Sequence, residues 1–539
     1  MAPVRILALT ILLTLALQPS VSKKPLKILV YNVKFAHSHV NFLGRLADIL
    51  VEAGHNVTTL MPQLCPGMDE GTRLSKIIRT PVDADTRRTY TESMSFAYSF
   101  ETSPYEVMKS FKLGWTFGDL FYKGCKQTLQ YPGLMDQLRA EKYDVMFTEN
   151  FDLCGMGISH VIGVNAVIHA STSVLYGEQF DEFGVPQALS YNPSHFTTSL
   201  NIHSMWDRAW NVFGEWVFRH GYGYSRTSCL KAFREVYGPS FPTMQEISSR
   251  VAYSFTNSEP LLDVAHPTLH RIIDLGGLGA RPIKPLNESW LEILSRRPRT
   301  VLVSFGSVAF SNEMPGKYKD GILNALKQFP DTTFIWKYED PSDDFAHKVL
   351  NTSTNIVLSK WTPQQDLLAH DNLTAFVTHG GIASLHETAR LGKPCLITPL
   401  FFDQPRNAYT FARAGSGKVF NKLDLADSDK FAAAIRTIME DDRYRTRALR
   451  HKAMLKSKPF TPAELLIKYT EFAAAFNPSE ALRPQSLDMS MIELYNLDLI
   501  AVVAALLAFI TFAFVYFFLK GITFFFSSLP KIIVKMKRD

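Results

Sequence analysis

Residues Ala375–Ala408 read AFVTHGGIASLHETARLGKPCLITPLFFDQPRNA, and this stretch decides the fold. Ala375–Thr378 is a short apolar run that reads as a strand and ends in His379-Gly380-Gly381. A helix is expected over roughly Ala383–Leu391, stopped by Gly392 with Pro394 beyond it. Cys395–Thr398 reads as the next strand, ending at Pro399, and Asp403-Gln404 follow in its loop. A strand, a glycine turn, a helix and a second strand make a parallel β-α-β unit. The two glycines let backbone approach a ligand closely, and a helix N-terminus offers unpaired N–H groups with partial positive charge. This is the physical make-up of a phosphate site. His379 can donate to a phosphate oxygen, and Glu387, one to two turns into the helix, can accept from a ribose hydroxyl. Asp403 and Gln404 suit the hydroxyls of a sugar. Upstream, Trp361-Thr362-Pro363-Gln364 places an indole at a strand end, where it can flank a planar base.

The same alternation extends outward. Val301–Ser304, Thr333–Lys337 and Ile356–Ser359 read as further strands between helical spans. Near 275–290, Gly276, Gly277, Gly279, Pro282 and Pro285 have the composition of a linker. Before it, Lys27–Val33 reads as a buried strand, Asn41–Ala53 as a helix stopped by Gly54, and Asn56–Leu60, Tyr143–Thr148 and Val164–His169 as strands. Residues 65–130 and 175–245 are irregular and aromatic-rich, and are expected to be helical insertions that shape an apolar cleft. The body therefore divides into two α/β halves, with the natural site between them at strand C-termini. Three other motifs fail. His386-Glu387 lacks the second histidine of a zincin, because position 390 is Arg; Ala414–Lys418 lacks the outer residues of a phosphate loop; and Gly277-Leu278-Gly279 lacks its third glycine. No metal-ligand cluster stands out.

The chain has 539 residues, 46% hydrophobic and 20% charged, which excludes a disordered chain. Five cysteines exclude a disulfide-dense scaffold, and their odd number leaves at least one free or paired between chains. The net charge is +6, but nearly all of it lies at Arg5 and beyond residue 519, so a nucleic-acid-binding body is not indicated. Residues 1–22 have the charged start, short apolar stretch and small residues of a cleavable signal peptide. Leu499–Leu519 is an uncharged run of 21 residues, about 31 Å as a helix and enough to cross a hydrocarbon core. Lysines at 520, 531, 535 and 537 follow it, so the positive-inside rule expects a cytoplasmic tail and a lumenal or extracellular body. Gly521–Leu529 is too short to span alone and is expected at the interface, closed by Pro530. Asn56, Asn287, Asn351 and Asn372 each open an N-glycosylation sequon; Asn56 begins a strand and is the least suited, while Asn287 and Asn351 sit in loop-like sequence.

Taken together, the 375–408 stretch resembles the signature of the UDP-glycosyltransferases, the membrane-bound family that includes animal UDP-glucuronosyltransferases. The likeness covers nearly the whole chain. Ser38-His39-Val40-Asn41 and the insertions look most like invertebrate, nematode-type members. The lysines at the third and fifth positions from the end resemble a dilysine retrieval signal, implying a single-pass protein of the endoplasmic-reticulum membrane with a lumenal body.

The resemblance implies a GT-B fold: an α/β chain with two Rossmann-like domains facing a cleft. The acceptor-binding domain would span 23–285, the UDP-sugar-binding domain 286–480, the transmembrane helix 499–519 and the basic tail 520–539. His379, Gly380, Gly381 and Ser307 inherit contacts to the diphosphate, Glu387 to ribose, Trp361 and Gln364 to the uracil and ribose, and Asp403 and Gln404 to the transferred sugar. His39 matches the family's catalytic base, with His37 as its neighbour. Glu149 stands where relatives carry its aspartate partner, and Asp152 is close enough to substitute. Ala383 replaces a common asparagine, and no arginine in Phe255-Thr256-Asn257-Ser258 matches the one that can meet a glucuronate carboxylate. The implied reaction is inverting transfer of glucose or glucuronic acid from a UDP-sugar co-substrate to a small lipophilic acceptor, with no further cofactor and no metal. Detoxification and dedicated synthesis of one endogenous lipid both fit. The alternative is a catalytically weak, membrane-tethered lipophile-binding protein of the same fold. Self-association is left open.

Overall fold

The computed structural model describes residues 24–94, 97–102, 107–149 and 151–537. The signal peptide expected over 1–22 lies outside them, as do Arg538 and Asp539 at the end of the basic tail. The chain divides into two units, residues 1–482 and 483–539.

In the first unit, the short apolar runs form strands because they are covered on both faces. In Lys27–Tyr31 (β1) every residue after Lys27 is buried, and the same holds along Val145–Glu149 (β4) and Ala166–Ser171 (β5). With Asn56–Gln63 (β2), Lys76–Pro81 (β3), Tyr253–Thr256 (β6) and Ile272–Asp274 (β7), they make a parallel sheet ordered β3-β2-β1-β4-β5-β6-β7. Arg299–Ser304 (β8), Thr332–Lys337 (β9), Ile356–Ser359 (β10), Leu373–Thr378 (β11), Cys395–Ile397 (β12) and Gly417–Val419 (β13) make a second parallel sheet ordered β10-β9-β8-β11-β12-β13. Strand order reverses between β1 and β4 in one sheet and between β8 and β11 in the other. Loops splay apart at such points and leave room for a ligand.

Helix α1 spans His37–Glu52, four residues earlier than expected. Asn41 is not its cap; the Val40 amide already bonds the Ala36 carbonyl, so His37, Ser38 and His39 form the first turn. The 65–130 segment is more regular than expected. It contains β3 and a 23-residue helix, Val107–Leu129 (α2), which Cys125 joins by a disulfide to Cys154 at the start of Cys154–Ile162 (α3). The 175–245 segment holds a 33-residue helix, Met205–Tyr237 (α4), capped by the Ser204 side chain. Helices α2 and α4 pack where glycine meets glycine, since a Cβ on Gly114 would lie 1.7 Å from the Gly221 carbonyl oxygen. In the second half, Ile382–Leu391 (α5) and Gln404–Ala414 (α6) follow β11 and β12.

Pro462–Phe476 (α7) starts on a capping box of Thr461 and Glu464, with proline in its first turn. It returns to the first sheet, burying Leu466 and Ala473 in the core that holds Ile28, Val145 and Ile168. The two halves are also joined by a buried ion pair, Arg406 Nη1 to Asp263 Oδ2 at 3.0 Å, and by Lys458 on Glu259 at 3.0 Å.

In the second unit, Leu497–Met536 (α8) is one helix. It runs through Gly521 and Pro530 without a break, so Gly521–Leu529 is continuous with the helix before it. A lone glycine costs a helix only about 1 kcal/mol. The stretch Leu497–Ser527 is long and apolar enough to cross a membrane.

Candidate functional site

Most of the residues singled out in the sequence lie in the segments that follow the carboxyl ends of strands. His39 follows β1 and Glu149 closes β4, the two strands flanking the first reversal point. His39 Nδ1 lies 3.1 Å from Glu149 Oε1, and Glu149 Oε2 accepts the Phe151 N–H at 2.6 Å. The carboxylate is thus held by a backbone amide while it faces the imidazole. Thr172, just past β5, brings its hydroxyl within 3.1 Å of His39 Nδ1. The rings of Phe35 and Phe151 lie 4.6 and 5.7 Å from the imidazole. Glu149 is buried, while about a fifth of the His39 side chain is exposed, enough for a proton to be exchanged with a bound molecule.

Asp152, the other carboxylate considered, faces away. It accepts Tyr31 Oη–H at 2.9 Å, the Cys154 amide at 2.8 Å and the Cys229 thiol at 3.0 Å. Complete burial pushes its carboxyl up to about 6 in spite of those donors.

At the second reversal point, the Gly306 turn after β8 meets His379 after β11. A Cβ on Gly306 would lie 2.8 Å from the imidazole, and one on Gly381 would lie 2.6 Å from His379 Nε2. Gly306 also has φ +94°, a conformation that favours glycine. Backbone therefore clasps this ring from two sides, with Ser307 next in the same turn. His379 Nδ1 is buried and bears no hydrogen bond. Burial, assisted by Lys337, pushes the imidazole down to about 4, so it is neutral near pH 7. Gly380 (φ +87°) and Gly381, the residue before α5, bring the helix N-terminus to the same place.

Lys337 ends β9, beside β8. Its ammonium donates to the Gly306 carbonyl at 2.7 Å, pairs with Glu339 at 2.8 Å and stands 5.7 Å from the centre of the Trp361 ring. The indole is 66% exposed, leaving a face open to a flat ligand. Gln364 and Glu387 are brought together: Gln364 Nε2 donates to Glu387 Oε2 at 2.7 Å, and Gln365 does the same to Oε1. Burial pushes the Glu387 carboxyl up, against these two amides.

Asp403 and Gln404 open α6. Asp403 Oδ2 accepts from Asn407 at 2.8 Å and faces Ser173 Oγ of the first half at 3.4 Å, and burial pushes its carboxyl up. Ser173 adjoins Thr172, which meets His39, so the two loop clusters border one cleft. The Gln404 carbonyl is committed to the Leu400 and Phe401 amides. Phe402 holds φ +53° and meets Phe117, Phe151 and Tyr222 of the first half at ring distances of 5.6–6.5 Å. This aromatic wall borders a cavity lined by Phe151, Tyr176, Phe218 and Tyr222.

Sequence reading passed over Lys337, Thr172 and Ser173. None belongs to a motif; only strand order brings them to the cleft. Among the sequons, Asn56, Asn287 and Asn351 are exposed, whereas Asn372 Nδ2 donates to the Leu294 carbonyl at 3.0 Å.

Comparison with known proteins gives a consistent result. The family model described as "UDP-glucoronosyl and UDP-glucosyl transferase" matches residues 26–532. The Caenorhabditis elegans protein named "Putative UDP-glucuronosyltransferase ugt-48" is 27% identical over 496 residues, covering 89% of this chain and 92% of its own. Human UDP-glucuronosyltransferase 1A10 is 25% identical, covering 88% of each chain. Among solved structures, the glycotransferase of kitacinnamycin superposes with a TM-score of 0.56 at 16% identity, over 83% of this chain and 98% of its own. The calicheamicin glycosyltransferase CalG4 gives 0.55 at 16% identity, over 84% of this chain and 99% of its own. These neighbours share the GT-B fold.

Proposed function

Because the chain belongs to the UDP-glucuronosyl and UDP-glucosyl transferase family, and is therefore a hexosyltransferase, we propose that it moves glucose or glucuronic acid from a UDP-sugar to a small lipophilic acceptor with inversion. The observation that carries this reading is the His39–Glu149 contact in a cleft that Thr172 and Ser173 join to Asp403. With Nδ1–H donating to Glu149, His39 Nε2 holds the lone pair. It takes the acceptor hydroxyl proton as that oxygen attacks the anomeric carbon of the α-linked donor. The bond from that carbon to the β-phosphate oxygen breaks, UDP leaves, and the product is a β-glycoside. Glu149 steadies the imidazolium that forms. The departing diphosphate meets His379, Ser307, the Gly380-Gly381 amides and the N-terminus of α5, with the Lys337 ammonium, held on the Gly306 carbonyl, supplying positive charge. Trp361 covers the uracil, Glu387 and Gln364 take the ribose, and Asp403 and Gln404 hold the sugar.

The donor is UDP-glucose or UDP-glucuronate. The uncharged Phe255–Ser258 stretch gives a glucuronate carboxylate no arginine, which keeps glucose open. In this reading the apolar α8 is a single-pass anchor; the lysines after it favour a body across the membrane from the cytoplasm, in the endoplasmic-reticulum lumen, with Asn287 and Asn351 exposed to glycan attachment. Microsomes carrying the full chain, given phenolic acceptors with each UDP-sugar, should yield a hexoside or a glucuronide by mass spectrometry. UDP binding without product from either donor would contradict this reading.

A further inference from the structure

One short segment of the first half is buried in the second. Ala97–Phe100 forms a single 3₁₀ turn, and Phe100 sits fully buried in the apolar core that contains Val301, Val303 and Leu400. Its ring meets that of Phe305 edge-on at 5.9 Å. Phe305 immediately precedes Gly306 and Ser307, the turn whose backbone lies against His379. A second contact reaches the other loop of the site. Lys422 is buried, and its ammonium donates to the Ser99 carbonyl at 2.5 Å and to the Leu400 carbonyl at 2.6 Å. It also lies 3.4 Å from Thr102 Oγ1. The Leu400 N–H donates to Gln404 Oε1 at 2.9 Å, so the peptide groups on both sides of Leu400 are held. On the surface, Glu101 pairs with Lys317 at 3.0 Å.

We propose that Phe100 and Lys422 are positioning residues for the UDP-sugar site, and that residues 97–102 are the strap through which the first half sets both donor loops. Both side chains are buried and act through the loops they support. Phe100 backs the phosphate turn. Close-packed interiors transmit strain, so a ring packed against Phe305 fixes the turn that follows it. Lys422 backs the sugar loop. A buried ammonium must keep its hydrogen bonds, and here they tie a carbonyl of the first half to the carbonyl of Leu400, just ahead of Asp403 and Gln404. The Ser99 acceptor is a main-chain group, so the path of the strap itself completes the arrangement. A plain clamp between the halves would lend stability alone. A strap resting on these two loops also sets donor affinity, with diphosphate and sugar governed by different residues. This assignment rests on reading the two loops as the UDP-sugar site.

The test uses the full chain in microsomes, with UDP, UDP-glucose and UDP-glucuronate as probes. Lys422→Met should raise the KM of the sugar donor about tenfold, while UDP inhibits within about twofold of its wild-type strength. Lys422→Arg, which keeps the charge, should recover most of that loss. Phe100→Leu should weaken UDP and the UDP-sugar together, by about fivefold or more. The acceptor KM at saturating donor should stay within about twofold in all three variants. Unchanged donor KM in both Lys422→Met and Phe100→Leu, with only the melting temperature lowered, would overturn the proposal and leave a plain clamp. Hydrogen exchange on the purified wild-type chain covers the case in which a variant does not fold. Saturating UDP should slow the amides of residues 99–102 more than those of the helix Ala84–Ser93. Equal slowing in the two segments would overturn the proposal while UDP binding itself upholds the site. Absence of UDP binding by the wild type would overturn both.

Discussion

His39 Nδ1 meets Glu149 Oε1 at 3.1 Å across 110 residues of sequence, because β1 and β4 are neighbours in the first sheet. The Phe151 amide on Oε2 fixes the carboxylate, and the Thr172 hydroxyl approaches the same imidazole nitrogen, at 3.1 Å. The pair has the geometry of a base and its orienting acid.

Glu149→Gln tests the charge separately from the shape. The amide can still accept from the imidazole but cannot offset its positive charge. Turnover should fall about 10²–10⁴-fold while UDP affinity stays within about twofold. Isothermal titration alongside product assay reads both. A parallel loss of UDP affinity would mean that Glu149 supports the fold of the cleft instead.

Asp152→Asn should behave differently. Its carboxylate accepts from Tyr31, Cys154 and Cys229 and does not touch His39. The change should lower thermal stability, at about 1–3 kcal/mol for a mismatched buried donor, with little effect on turnover per folded molecule. A collapse of turnover with unchanged melting temperature would identify Asp152 as the working carboxylate.

Gly306→Ala and Gly381→Ala each push a methyl group into the His379 ring. At Gly306 the positive φ adds strain of about 1–3 kcal/mol. Both variants should weaken UDP binding about tenfold or more, whereas Gly316→Ala, where a Cβ meets open space, should not. Tight UDP binding by either variant would remove His379 from the diphosphate site.

UDP binding should take up protons. In the free protein His379 is held down to about 4 by burial and by Lys337. A diphosphate beside it favours the imidazolium and raises that value. Affinity then increases as pH falls through the bound-state value toward about 4, and levels off below it. Calorimetry in buffers of differing ionisation heat should detect uptake between the two values, and His379→Gln should abolish it. Proton release instead would contradict the assignment.

Much of this was legible in the sequence. His379-Gly380-Gly381 and Asp403-Gln404 are contiguous in the chain, and local rules about strand ends and helix starts place them. What stayed hidden depended on strand order. Lys337 looks like an ordinary end to TTFIWK until β9 is set beside β8, where its ammonium reaches the Gly306 carbonyl. Thr172 and Ser173 sit in a small polar loop that has no signal of its own. Sequence alone offered Asp152 as a substitute for Glu149 because it lies three residues on, and could not show that Tyr31, Cys154 and Cys229 occupy its carboxylate. Strand β3 was missed because Arg79 and Pro81 interrupt its apolar pattern, as tolerated at a sheet edge.

The most direct test is His39→Ala in the full chain, assayed in microsomes with UDP-glucose and UDP-glucuronate. The wild type should form a β-linked product from at least one donor, and the variant should bind UDP as the wild type does with transfer reduced about 10²–10⁴-fold. Near wild-type turnover by the variant would show that another group takes the acceptor's proton.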